Sequence, residues 1–442
     1  MNENSVLTHR NVGVLSVEAV DAPEVVTSAW IDEQLADTYE RTGMKPGTLS
    51  DLAGIEERRW WPDGLTFDQA AAMAGRAALD AAGIDPQRVG MLISTSVCKH
   101  HLEPSVACSV HHQLQLAPSC LNFDVGNACL GFINGMQIAA AAIDAGSIDY
   151  ALIVDGEGSR YTQQTTIARL QQPTTQAADV FAEFASLTLG SCAAAAVLCR
   201  LDEHPEAHRL VGGVARSGTQ HHDLCVGDLD RMTTDTHGLL VAGLDLAEAA
   251  WKHSGHDFDW EVGMDWYIVH QVSQVHTRLI TERLGIDPER APLTFPKFGN
   301  CGPAAIPLTL AKSADQIQVG DRVLVSKLAP GPFDVRRGDI VVFKDPGGWL
   351  PATLAAERSP LQEAVNNGLT FIGLLPQDSG EHLIKRVIGL PGDQAACCDA
   401  AGRVTVNGVG ITEPQLKPGS VPSEVPFDII VPPDSFWVMG DN

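Results

Sequence analysis

The sequence predicts an α/β layered domain over residues 1–318, followed by a mainly β segment over residues 319–442. Three observations carry that division. Through the first three hundred or so residues, apolar runs of strand length alternate with alanine-rich stretches of helical period. After about Lys327 the helical period fades, and short apolar runs separated by Pro and Gly take over. The change of texture falls between Ser313 and Lys327.

In chain order, Val12–Val20 is the first apolar stretch. Ser16 and Glu18 interrupt it, it is too short to span a bilayer, and no basic region precedes it. Phe67–Ala82 sets small and apolar residues at helical spacing and predicts a helix. Val89–Val97 predicts a strand, Leu130–Ala145 a second helix, and Tyr150–Asp155 and Ala193–Cys199 two further strands. These apolar runs lack polar alternation, so they read as buried parallel strands. Trp266–His270 with Val272–Leu284 makes another strand–helix pair, and Pro303–Ser313 predicts a helix. In the second segment Asp339–Phe343, Leu383–Leu390 and Arg403–Asn407 predict strands, the last closed by an Asn407-Gly408 turn.

Composition sets the outer limits. The 442 residues are 44% hydrophobic and 19% charged, with a mean hydropathy near zero, as in a soluble globular enzyme. A formal net charge of −25 repels phosphate and argues against nucleic acid or anionic lipid as the main partner. No membrane anchor is read in the chain, and a cytoplasmic location is expected. Ten cysteines follow no framework spacing, and no CxxC pair points to zinc. The pairs His100-His101, His111-His112 and His221-His222 send adjacent side chains in diverging directions, so no metal is expected.

The sharpest chemical signal is Gly126-Asn127-Ala128-Cys129-Leu130-Gly131-Phe132, just before a helical run. A cysteine at the first turn of a helix faces unpaired N–H groups and the positive end of the helix dipole, which favour thiolate. A thiolate accepts an acyl group from another thioester at little cost. Read alone, the run fits a buried cysteine at a strand–helix junction equally well. Val269-His270-Gln271 ends an apolar strand, and Phe298-Gly299-Asn300-Cys301-Gly302-Pro303 opens a helix. Singly, a His or Asn in such places is more often structural.

Together with Gly54-Ile55-Glu56-Glu57-Arg58-Arg59, these segments resemble the ketoacyl-ACP synthase III family and its thiolase-superfamily relatives, in order and spacing, over about residues 8–325. The resemblance implies a thiolase-like layered α/β fold with Cys129 as the acylated nucleophile. It implies His270 and Asn300 as donors to the thioester carbonyl as an enolate forms. Ser96–Ser105, Asn122–Asn134 and Ile153–Glu157 are similar to the OleA branch, which joins two fatty acyl-CoA chains head to head into a 2-alkyl-3-oxo acid. By that likeness Glu103 corresponds to a glutamate that enters the partner subunit's site and removes the α-proton of the second chain. A Claisen condensation without decarboxylation needs such a base. Alone, Glu103 reads as an acidic residue at a helix start before Pro104. The resemblance therefore implies fatty acyl-CoA or acyl-ACP as substrate, no bound cofactor, and a homodimer.

Two departures stand out. Cys192, in Gly190-Ser191-Cys192-Ala193, occupies a place where the relatives usually carry glycine, adding bulk to a tight segment. Gly320–Leu324 suits the family's penultimate strand, but no glycine-rich loop and final strand follow it. In the family that loop gives an oxyanion N–H, worth about 3–4 kcal/mol of barrier.

From Val319 onward the chain resembles bacterial signal peptidase I, through Gly320–Lys327, Arg337–Phe343, Leu383–Asp393 and Phe436–Asn442. That family activates a serine with a lysine whose pKa burial depresses. Lys385 matches the lysine, which otherwise reads as an ordinary strand lysine. The serine motif has no counterpart: Lys312–Gln318 continues the preceding helix, and Ser313 lacks the motif. The chain also stops at Asn442, where the family continues. The expected whole is an acyl-CoA condensing enzyme lacking its final strand, fused to a truncated signal-peptidase-like domain. A 3-oxoacyl-ACP synthase III, a signal peptidase fragment without its nucleophile, and an inactive chimera are the alternatives. Peptidase activity is not expected.

Overall fold

The computed structural model describes residues 5–254, 258, 264–317, 321–326, 340–344, 382–390, 392–399, 402–411, 427–432 and 437–439. Two units make up the chain, Met1–Gly331 and Pro332–Asn442. The elements that position the site begin with β1 (Val12–Asp21), α1 (Phe67–Ala82), β2 (Met91–Ser94) and α2 (Val106–Leu114). There follow β3 (Leu121–Asp124), α3 (Gly131–Asp144), β4 (Tyr150–Glu157), β5 (Cys192–Arg200) and β6 (His208–Arg209). Later come β7 (Trp266–Val269), α4 (Gln274–Leu284), α5 (Ala305–Lys312) and β8 (Val323–Ser326).

Six strands form the main sheet in the order β3-β2-β4-β5-β1-β6. β2 runs parallel to β3 and β4, whereas β5 is antiparallel to both β4 and β1. The run Ala193–Cys199, expected to be parallel, is therefore antiparallel. Its composition gave no warning, because a strand covered on both faces loses polar alternation whichever way it runs.

Side-chain alternation distributes β4 between two cores. Leu152 and Val154 pack toward Ala70, Ala71, Ala74 and Ala78 of α1. Ala151 and Ile153 pack toward Phe132, Met136 and Ala140 of α3. The result is a three-layer α/β/α unit of the kind the periodicities predict. A capping box starts α1, with the Thr66 N–H donating to Gln69 Oε1 at 3.0 Å. Gly83, at φ +65°, ends it. Alanine along its buried face lets the helix lie close on the sheet at no cost in helix propensity.

A second layer of pairing decides where the first unit ends. β8 runs parallel to β7, with Trp266 opposite Val323 and Val269 opposite Ser326. Val323–Ser326 thus belongs with the first unit, and the division between units falls after Gly331, later than the 318/319 boundary read from texture. Residues 327–339, where the sequence offers no glycine-rich loop or final strand, lie outside the described residues.

The second unit has the β texture the sequence predicts. Ile340–Lys344, His382–Gly389 and Trp437–Met439 form an antiparallel three-stranded sheet. Gln394–Cys397, Val404–Val406, Val409–Gly410 and Phe427–Ile430 form a second, four-stranded one. Its core gathers Ile388, Val404 and Val406 beneath Phe427 and Trp437. Among the described residues, no helix is long and apolar enough to cross a membrane.

Candidate active site

Cys129 lies between β3 and α3, in a short 3₁₀ turn (Ala128–Leu130) that precedes the helix rather than in the helix's own first turn. Ala128 is held at φ +43°, in the left-handed region where a non-glycine residue is strained by about 1 kcal/mol or more. The next glycine explains how the turn is held. A Cβ on Gly131 would sit 3.0 Å from the Thr95 carbonyl oxygen and 3.3 Å from that of Val125, so glycine lets α3 begin close against the end of β2 without displacing it. Cys129 itself is part-buried.

Asn300 is stitched to a neighbouring loop from both sides. Its backbone N–H donates to the Thr188 carbonyl at 2.9 Å, and its own carbonyl accepts from the Gly190 N–H at 2.9 Å. The side-chain oxygen accepts from the Gly302 N–H at 3.0 Å, which leaves the amide N–H groups as donors, the polarity an oxyanion needs. Gly299, at φ +68°, makes the approach: a Cβ there would meet the Thr188 carbonyl oxygen at 2.7 Å.

His270 is buried at the end of β7, with its ring 6.4 Å from that of His276. The adjacent Gln271 links it to the Asn300 segment. Gln271 Oε1 accepts from the Thr294 and Phe295 N–H groups at 2.8 and 3.1 Å, and its Nε2 donates to the Pro292 carbonyl at 2.7 Å. Thr294–Phe298 leads directly into Gly299 and Asn300.

The elements that carry these three residues meet around the start of α5. The turn bearing Cys129 packs against the 3₁₀ turn Gly302–Ala304 just after Asn300, and α5 packs on β7, which delivers His270. Glu103 is exposed on the loop between β2 and α2, beside Leu102, which is 97% exposed.

A buried carboxylate that sequence reasoning quoted without a role completes the site. Glu157 ends β4, accepts from the Val97 N–H at 2.6 Å, and lies beneath Gly302. Burial pushes its carboxyl up to about 7, and the neighbouring Cys129 sulfur adds to the rise. Burial and the Glu157 carboxylate push Asp155 well above the carboxylate range. Asp155 accepts a short hydrogen bond from the Thr95 hydroxyl. The only advance signal was two acids closing an otherwise apolar strand. Cys192 fits without displacing its strand: it is fully buried beside Cys301, whose thiol contact, followed by burial, lifts Cys192 well above the usual thiol range. Lys385 pairs through its backbone with Val341, and its side chain lies outside the described residues. Ser313 caps α5 and is buried, with its N–H donating to the Thr309 carbonyl at 3.0 Å.

A cysteine on a strained turn packed against the turn that follows an asparagine, in a three-layer α/β/α fold, is the arrangement of the acyl-thioester condensing enzymes of the 3-oxoacyl synthase III class. Residues 123–170 match 3-oxoacyl-[acyl-carrier-protein] synthase III and residues 262–332 its C-terminal domain. Residues 305–442 match signal peptidase, peptidase S26, so the two families overlap on the stretch that contains β8.

The acyl-CoA:acyl-CoA alkyltransferase of Xanthomonas campestris pv. campestris is 41% identical over 325 residues, 73% of this chain and 96% of that protein. The enzyme of the same name from Shewanella oneidensis is 34% identical over 318 residues, 68% of this chain and 90% of that protein. A solved structure of Xanthomonas campestris OleA, in a cysteine-to-alanine form, matches with a TM-score of 0.72 at 41% identity, over 73% of this chain and 95% of that one. Other solved forms of that protein carry substitutions at one histidine or one glutamate, and a cysteine-to-serine form holds lauric acid and lauroyl-CoA. The chain belongs to the acyl-CoA:acyl-CoA alkyltransferase family, OleA, and carries a signal-peptidase-family segment fused behind it.

Proposed function

We propose that the first unit joins two fatty acyl-CoA molecules head to head by a Claisen condensation, with Cys129, His270, Asn300 and Glu103 as its working groups. Cys129 attacks the first acyl-CoA thioester and expels the CoA thiol, leaving an acyl-cysteine. The second acyl-CoA then loses its α-proton to Glu103 of a second copy of the chain. His270 and Asn300 donate to the carbonyl oxygen as it becomes an enolate, charge that exists only near the transition state. The enolate carbon attacks the acyl-Cys129 carbonyl, the cysteine thiolate leaves, and hydrolysis of the remaining thioester gives a 2-alkyl-3-oxo acid. The reading includes a homodimer, in which Glu103, exposed at a loop tip, is open to the site of a second copy. It needs no metal or cofactor, and it places the protein in the cytoplasm, with the acyl-CoA pool.

The packing of the Cys129 turn against the turn that follows Asn300 carries the proposal. Intact-protein mass after incubation with a long-chain acyl-CoA tests it, beside a Cys129→Ala variant. An adduct of one acyl group that vanishes in the variant is the expected result. No adduct on folded protein would leave an inert fusion as the better account.

For the second unit we propose no peptidase activity. Lys385 matches the family's lysine, but Ser313, the nearest serine to the expected place, is buried as the cap of α5 and serves the condensing fold.

A further inference from the structure

We propose that Asp124 is a positioning residue for the condensation, fastening both ends of the loop that carries Glu103 to the strand that delivers Cys129. The proposal rests on the reading of Glu103 as the base. That loop leaves β2 after Ser94 and enters α2 at Val106. Near its start, Lys99 Nζ donates to Asp124 Oδ2 at 2.7 Å. Just past its end, the Val106 and Ala107 N–H groups donate to Asp124 Oδ2 and Oδ1 at 3.2 and 2.9 Å. Asp124 is the last residue of β3, and the chain runs from it directly into the Cys129 turn.

One carboxylate therefore ties three segments together with charge-assisted hydrogen bonds, the strong kind. The helix did not require it for an ordinary cap, because Ser105 already accepts from the Cys108 N–H at 3.1 Å. Asp124 instead takes the two N–H groups at the loop's exit and the ammonium at its entrance. Its side chain is 13% exposed and that of Lys99 37%, so water competes weakly at the carboxylate and more at the ammonium.

The remaining anchors lie on the entrance side. Val97 N–H donates to Glu157 at 2.6 Å, the Cys98 thiol reaches the Gly158 carbonyl at 3.4 Å, and the His100 ring stacks on Phe67 with centroids 4.2 Å apart. Beyond His100, residues His101, Leu102, Glu103 and Pro104 are exposed. Asp124, together with the buried side chains of Val106 and Ala107, returns this tip to the fold. The distance from the Glu103 carboxylate to a condensing site is then set by a stem shared with the strand leading to Cys129. A base displaced by about 1 Å loses on the order of a hundredfold in rate.

The test measures two half-reactions in the full-length protein with a long-chain acyl-CoA: acylation of Cys129 by intact mass, and release of condensed product. Asp124→Asn, Lys99→Met, Glu103→Gln and the double variant Asp124→Asn with Glu103→Gln are compared. Lys99→Met keeps both backbone hydrogen bonds to Asp124 and guards against a simple folding defect. The expected result is acylation within about twofold of the parent for each single variant, with condensation slowed on the order of tenfold to a hundredfold. The double variant should condense no more slowly than Glu103→Gln alone, because a residue that acts through another adds nothing once that residue is gone. Full additivity, or acylation slowed as much as condensation, overturns the proposal and leaves the Glu103 reading intact. Unimpaired condensation by Glu103→Gln overturns that reading, and the proposal with it.

Discussion

Replacing Glu157 with glutamine should flatten the dependence of the first unit's stability on pH. Its carboxyl rises from 4.5 to about 7, chiefly through burial. The folded unit therefore keeps a proton that the unfolded chain has already released. Stability tied to that proton is complete below about pH 4.5 and is lost as pH rises through about 7. The whole loss is on the order of 3 kcal/mol, most of it between about pH 5 and about pH 8. Glutamine keeps an oxygen for the Val97 N–H and carries no charge, so it removes the loss and preserves the contact. Urea midpoints at both pH values, for parent and variant, measure the effect. Asp155, raised by burial and by the Glu157 charge, titrates in both proteins but rises less in the variant, so the difference between the two proteins reads the pair together. Parallel losses in parent and variant would refute the argument.

Three further outcomes follow from the site. Gln271→Leu strands the Thr294 and Phe295 N–H groups and the Pro292 carbonyl, and should lower stability by about 2–4 kcal/mol, read as a fall in Tm. Gly299→Ala forces a Cβ to within 2.7 Å of the Thr188 carbonyl at a positive φ. It should cost about 1–3 kcal/mol and slow product formation, because Asn300 follows directly. Lys385→Ala should leave both the Cys129 adduct and the product rate unchanged, measured by mass and by product assay.

Much of this arrangement was legible because local chemistry and tertiary demand agree. Phe67–Ala82 reads correctly to the residue, since Thr66, Gln69 and Gly83 mark both ends in the sequence. Cys129, His270 and Asn300 each end or begin an element, where motif and fold coincide. Other features were hidden for physical reasons. Strand direction in β5 depends on neighbours, which an apolar run does not name. The nine-residue α2 went unread: its Ser105 cap is plain, but His111, His112 and Gln113 break its apolar stripe. Gln271, Asp124 and Glu157 act through hydrogen bonds to backbone distant in sequence, and only the folded chain brings those partners to them.

The parallel pair β7–β8 has one more consequence. Pairing between strands is read out in backbone N–H and C=O groups, so any run of extended, β-branched residues in the right place satisfies its neighbour. The Asp-Arg-Val-Leu-Val run lies where the two family matches overlap, and its Val323–Val325 part pairs in parallel with Trp266–Ile268. A crossover inside it changes ancestry without changing the ladder that Trp266–Val269 sees. The join is silent to its immediate partner, which makes this strand a natural place to exchange one downstream domain for another.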